Sequence, residues 1–262
     1  MKILSTRALL TIPLLYIGCG VLLFLAQNHL IYLPDNRPFG ECAQAPATVT
    51  LVEEATWRGY YTPAPDEVNE RIVIVYHGNA GNACHRTALL PTLQAHDHAV
   101  LIVEYPGFAD THTHPRTKDS LAIISDVQEF ISQSDYTDIT IFGESIGSGF
   151  ASYHAHEYAP QSNLILITPF ARLSDRAQEA IPIYPVRWLL RTDLDTATWA
   201  TAATHVTIIA AEYDQVMPRR HTDRLVAALA EEKVTYHTIP DTNHNSLYSA
   251  PVFHQAIKAA LE

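Results

Sequence analysis

Short β-rich apolar runs alternate with segments of helical spacing, and a Gly-x-Ser-x-Gly stands between one such run and a helix. These observations predict an α/β domain with a mostly parallel central sheet and helices on both faces. Five runs carry the prediction: Ile72–Tyr76, Val100–Val103, Ile139–Phe142, Leu164–Ile167 and Val206–Ala210. Their length, and apolar residues on both faces, fit strands buried in a parallel sheet. A sixth, Val234–Ile239, is more mixed. Between them, Ser120–Ser132 places Leu121, Ile124, Val127, Phe130 and Ile131 at helical spacing. Ser148–Tyr158, Arg220–Glu231 and Val252–Leu261 read as further helices.

Thr48–Glu54 and Thr56–Tyr61 are expected to form an antiparallel hairpin at one edge, and Pro63-Ala-Pro-Asp66 a turn into the first central strand. The stretch 170–204 is too long for a simple connection. Its apolar patches Ile181–Tyr184 and Val186–Leu190, punctuated by Pro182 and Pro185, read as a small helical cap. One ordinary helix with a long loop is the alternative.

The first thirty residues differ from the rest. Lys2 and Arg7 precede an uncharged run, Ala8–Ala26. Nineteen residues at ~1.5 Å each span about 29 Å, close to the hydrocarbon thickness of a bilayer. A signal peptide would have a shorter apolar region and a small-residue cleavage site, and Phe24 stands where a small residue is needed before Ala26. The expectation is an uncleaved transmembrane anchor over 1–30 and one domain over 31–262. Positive charge before the run favours the N-terminus inside and the domain on the non-cytoplasmic side, periplasmic if bacterial. A cleaved signal and a buried core helix are the rival readings.

Apolar residues make up 47% of the 262, which excludes a disordered chain. The net charge of −11 is a poor match to nucleic acid. The three cysteines show no zinc spacing. Cys42 and Cys84 have the means to pair in an oxidising compartment, but two free thiols are expected.

The sharpest chemical signal is Gly143-Glu144-Ser145-Ile146-Gly147, directly after a strand and before a small-residue helix. This is the context of a nucleophile elbow, whose turn lifts the serine hydroxyl off the sheet edge. The flanking glycines are expected to relieve clashes at strained backbone angles. A serine nucleophile needs a base, and the base an orienting carboxylate. Asp214 follows one predicted strand and His244 the next, giving the order Ser145, Asp214, His244 at carboxyl ends of strands. Glu212 and Asp241 are rivals for the acid and His237 for the base. His77-Gly-Asn-Ala-Gly-Asn82, after the first central strand, offers backbone N–H groups for an oxyanion hole. The donors would be the amides of Asn79 and Ile146, with His77 a structural loop residue. His112-Thr-His114 is read as a solvated loop rather than a metal pair.

HGNAGN, EYPGF, GESIGSG, EYDQVMP and NHNSL, in that order, resemble the α/β-hydrolase superfamily over roughly residues 30–262. They are nearest the small membrane-anchored serine hydrolases with a serine-aminopeptidase-like or prolyl-oligopeptidase-like core. That branch, which includes depalmitoylases and lysophospholipid hydrolases, often carries a phrase like Leu30–Pro38. The resemblance implies Ser145 as nucleophile, Asp214 and His244 completing the triad, and Asn79 in the oxyanion loop. It implies no metal or organic cofactor. Pro106, Phe108, Ala109, Thr111, Glu212 and Asn243 depart from the family's usual residues without removing a catalytic side chain. The expected activity is hydrolysis of an ester or thioester, on a lipid or acylated substrate near the bilayer. Peptidase action, acyl transfer and a non-catalytic binding role are the alternatives.

Overall fold

The computed structural model describes residues 6–65, 70–109 and 113–262, with side chains from residue 11 onward. The expectations placed on Lys2, Asp66, Thr111 and His112, and on the Arg7 side chain, lie outside the described residues. In chain order the strands are β1 (Leu33–Pro34), β2 (Thr50–Glu53), β3 (Arg58–Thr62), β4 (Arg71–Tyr76), β5 (Ala80–Gly81), β6 (Ala99–Glu104), β7 (Asp138–Glu144), β8 (Asn163–Ile167), β9 (His205–Ala211) and β10 (Val234–Ile239). The helices are α1 (Thr6–Ile31), α2 (Leu90–Leu93), α3 (Thr117–Ala122), α4 (Ile124–Ser132), α5 (Gly147–Glu157), α6 (Leu173–Ala180), α7 (Val186–Leu189), α8 (Thr196–Trp199), α9 (Arg219–Ala228) and α10 (Pro251–Ala260).

The main sheet runs β10-β9-β8-β7-β4-β6-β3-β2. It is parallel from β10 to β6. The expected hairpin, β2–β3, adds the antiparallel edge. Burial on both faces follows the two-residue period of a strand. In β4, Ile72, Ile74 and Tyr76 enter one core while Val73 and Val75 enter the other. In β6, Ala99, Leu101 and Val103 are divided in the same way from Val100 and Ile102. Such strands have no polar face, which is why they read as continuous apolar runs.

Four features differ from expectation. The helix expected over Ser120–Ser132 starts earlier, at Thr117, and is interrupted at Ile123. The helix expected to end at Glu231 stops at Ala228, because Leu229 turns extended (φ −101°, ψ 153°). Cys42 and Cys84 are not free: they form a disulfide with Cα atoms 5.6 Å apart, within bridging range. Their sequence separation of 42 hides that proximity, since no local pattern records it. Finally, α1 runs one residue past the anchor boundary expected at residue 30.

Helix α1 continues to Ile31 and docks one stripe on the domain. Gly20 and Gln27 are buried and Leu23 and Ile31 half-buried, at spacings of three and four residues. From Thr11 onward the other residues of α1 are exposed apart from half-buried Ala26 and Asn28, and Thr11–Ile31 is long and apolar enough to cross a membrane. After α1 the chain pairs β1 in parallel with β5, inside the HGNAGN loop. Between β8 and β9 the chain forms α6, α7 and α8, with α6 and α7 packed beside α1.

Candidate active site

Ser145 follows β7 with a left-handed backbone, φ +51°. That conformation is costly for a residue with a Cβ. It is held by the Ser145 N–H donating to Ile167 O at 2.9 Å and Ser145 O accepting from the N–H and hydroxyl of Ser148 at 3.0 and 2.6 Å. The strain falls on the serine, not on its flanking glycines as expected. The glycines serve close approach instead. A Cβ on Gly147 would lie 2.2 Å from Tyr76 O, and one on Gly143 would lie 2.6 Å from Gly147 O.

Asp214 and His244 follow the adjacent strands β9 and β10. Their side chains meet, with His244 Nδ1 2.7 Å from Asp214 Oδ2. A carboxylate only accepts, so Nδ1 carries the proton and Nε2 is left as an acceptor. Asp214 Oδ1 accepts the N–H groups of Val216 and Met217 at 2.9 and 2.7 Å, which fixes the carboxylate. Among the described contacts, Ser145 and His244 share no hydrogen bond. The rivals stand elsewhere. Glu212 accepts the N–H of Asp241 at 2.9 Å, and His237 lies within β10. Asn243, where the family often has Gly, shapes the turn that carries His244: its Oδ1 accepts the N–H groups of Asn245 and Ser246, both at 3.0 Å.

Asn79, Ser145 and Ile146 line one cavity of about 280 Å³. Among the described residues, the amide N–H groups of Asn79 and Ile146 have no acceptor in the protein. The Asn79 side chain donates to Ile31 O at 2.8 Å, and Asn79 O accepts from Leu33 N at 2.9 Å. The exit of α1 is therefore stitched to this loop. His77 is fully buried beneath it. Its Nδ1 donates to Gly78 O at 2.8 Å and its Nε2 lies 3.2 Å from Glu104 Oε1.

Sequence reasoning missed Glu144 and Arg86. Arg86 donates from Nε and Nη2 to the two Glu144 oxygens at 2.7 and 2.5 Å, a buried fork beside Ser145. Burial would raise the Glu144 carboxyl, but the Arg86 charge and hydrogen bonds outweigh it and hold the group below its ordinary value. The pair also lines a cavity of about 400 Å³ together with Asn245 and Tyr248. The elbow's second residue was visible in the sequence, but its partner, 58 positions away, carried no signal. Of the His112-Thr-His114 stretch expected as a solvated loop, His114 is half-buried and stacks on His29 with ring centres 3.8 Å apart.

A family model described as alpha/beta hydrolase fold matches residues 71–204, the stretch that holds both the HGNAGN loop and the elbow. The chain belongs to the alpha/beta hydrolase fold family. Within it, the chain is similar to the uncharacterized protein Rv2307c of Mycobacterium tuberculosis, 31% identical over 258 residues, covering 94% of this chain and 91% of the relative. This family member is also similar in structure to the alpha/beta hydrolase GrgF from Penicillium sp. (TM-score 0.61, 12% identity, 81% of this chain and 99% of that one). The monoacylglycerol lipase of Paleococcus ferrophilus is a second likeness (TM-score 0.58, 15% identity, 78% of this chain and 98% of that one). At these identities the two structures speak for the alpha/beta hydrolase fold alone.

Proposed function

We propose that the chain is a membrane-anchored serine hydrolase that cleaves a carboxylic ester or thioester through an acyl-enzyme. The carrying observation is the directed Asp214–His244 hydrogen bond at the ends of β9 and β10, with Ser145 held at positive φ at the end of β7. His244 Nε2 takes the Ser145 proton as Oγ attacks the carbonyl carbon. The N–H groups of Asn79 and Ile146 receive the developing oxyanion; one lost donor would raise the barrier by about 3 kcal/mol. His244 then protonates the leaving alcohol or thiol. In the second half it takes a proton from water, which attacks the acyl-enzyme and releases the acid and free Ser145. Asp214 holds the imidazole tautomer and stabilises its charged form. The reaction draws on protein groups and water and needs no metal or organic cofactor.

Residues 8–26 are proposed as the transmembrane part of the anchor, with 31–262 as the catalytic domain on the non-cytoplasmic side. The Cys42–Cys84 disulfide supports that side, since such bonds persist in oxidising compartments. The test is covalent labelling of the detergent-solubilised full-length protein with a fluorophosphonate, beside Ser145→Ala and His244→Ala. Label is expected on the wild type and on neither variant. Label that persists in Ser145→Ala would remove the assignment.

A further inference from the structure

The cavity at Ser145 does not end at the hydrolase domain. Leu30 and Ile31 of α1 form part of its wall, facing Ala177 and Ile181. The same four residues line a second, apolar cavity of about 80 Å³ that continues along α1 past Gln27 to Leu23. Eight residues of helix carry it about 12 Å away from the site. Its polar wall groups are satisfied: Gln27 donates to Leu189 O at 3.2 Å and accepts from Arg191 N at 2.9 Å, and the Tyr184 hydroxyl donates to Tyr16 O. The far wall is tied to the loop that carries Asp214: Arg176 of α6 donates to Val216 O at 2.8 Å.

The outer end of this groove lies against the part of α1 suited to a bilayer. Tyr16 donates to Ile183 O at 2.7 Å, Tyr184 donates to Tyr16 O at 2.9 Å, and their rings stack with centres 4.5 Å apart. In the same segment Ile183 is 71% and Trp188 87% exposed, and Leu15 and Leu22 of α1 are exposed as well. Large apolar side chains projecting beside a spanning helix mark a surface that sits in lipid, with Trp favoured at the interface.

We propose that the groove between α1 and residues 177–190 binds the unbranched acyl chain of a lipid ester resident in the bilayer. The chain travels along α1 and delivers its carbonyl to Ser145. This rests on the serine hydrolase reading and adds to it a substrate class and a route. A transmembrane helix used only as a tether would not have to form a wall of the catalytic cavity; here α1 forms that wall and also holds the Asn79 loop.

The test is kcat/KM of the full-length protein in dodecyl maltoside micelles on p-nitrophenyl esters from butyrate to dodecanoate. The wild type is expected to gain up to about fourfold per added methylene until the groove is full. Ala177→Trp from one wall and Leu23→Trp from the other are expected to lower the dodecanoate-to-butyrate ratio at least ~10-fold. Leu23 lies outside the sheet core, so its variant still reads out should Ala177→Trp fail to fold. A flat wild-type profile, or a ratio unchanged in both variants while the fluorophosphonate still labels Ser145, overturns the groove alone. No label and no butyrate hydrolysis in the wild type overturn the hydrolase reading and the groove with it. For the route, vesicles of brominated phosphatidylcholine are expected to quench Trp188 fluorescence, with the quenched fraction lost in Trp188→Phe. Equal quenching in both proteins would place the segment in water and refute delivery from the bilayer.

Discussion

Arg86→Met isolates a buried charge next to Ser145. The Arg86 and Glu144 side chains are 14% and 9% exposed and share two hydrogen bonds. Removing one partner of a buried pair costs about 3–5 kcal/mol, mostly the penalty of the stranded charge. The residual exposure of Arg86 points to the lower end, about 3 kcal/mol. The carboxyl of Glu144, deprived of the cation that outweighed its burial, is expected to take up a proton as pH falls, so the deficit of Arg86→Met should shrink between pH 7.5 and 5. In the wild type the sign is opposite. Glu144 is held below its ordinary value, so its contribution is present above the ordinary carboxylate range and fades as pH drops through it. The double variant Arg86→Met, Glu144→Leu removes both charges and is expected to recover about 2 kcal/mol. The assay is urea unfolding of the solubilised protein followed by tryptophan fluorescence, at both pH values. A single-variant loss under ~0.5 kcal/mol, or a double variant that shows the sum of both single losses, would refute the reasoning.

Three more perturbations follow from the same coordinates. Gly147→Ala would place a methyl 2.2 Å from Tyr76 O, so loss of fluorophosphonate labelling with lowered thermal stability is expected; a variant with wild-type labelling would show that the elbow relaxes. Cys42→Ser opens a 42-residue loop and is expected to cost about 4 kcal/mol by loop-closure entropy, read by urea unfolding; a midpoint shared with wild type that has not been reduced would contradict it. His154 is fully buried between Tyr76 Oη and Gln128 Oε1, each at 2.8 Å, and burial pushes its imidazole down to about 3. Between the ordinary value and that one, the unfolded chain binds a proton the folded chain refuses, so acidification destabilises. The contribution is about 2 kcal/mol by pH 5, and His154→Phe should flatten that part of the stability curve. An unchanged pH slope in that variant would show that His154 titrates in the fold.

The strands and the elbow were legible in the sequence because their causes are local. Strands buried on both faces must be apolar at consecutive positions, as in Val73–Tyr76, and a sharp strand-to-helix turn needs small residues where Gly143 and Gly147 approach backbone. The order Ser145, Asp214, His244 was readable for a related reason: each follows a recognisable strand. Joining the last two required the sheet, since only adjacency of β9 and β10 brings Asp214 within 2.7 Å of His244.

Pairings set by packing left no local trace. Cys84 meets Cys42, and Arg86 meets Glu144, because the 3₁₀ helix Ala83–Leu89 that follows the HGNAGN loop packs against both segments. The sequence also marked α1 as apolar from Ala8 to Ala26 without revealing its last turns. Only the tertiary structure decided that Gln27 is buried, that Ile31 accepts a hydrogen bond from Asn79, and that one face of a bilayer-length helix walls the cavity at Ser145. Apolar periodicity says that a face needs covering. Which surface covers it is settled by the contacts that satisfy both partners at once.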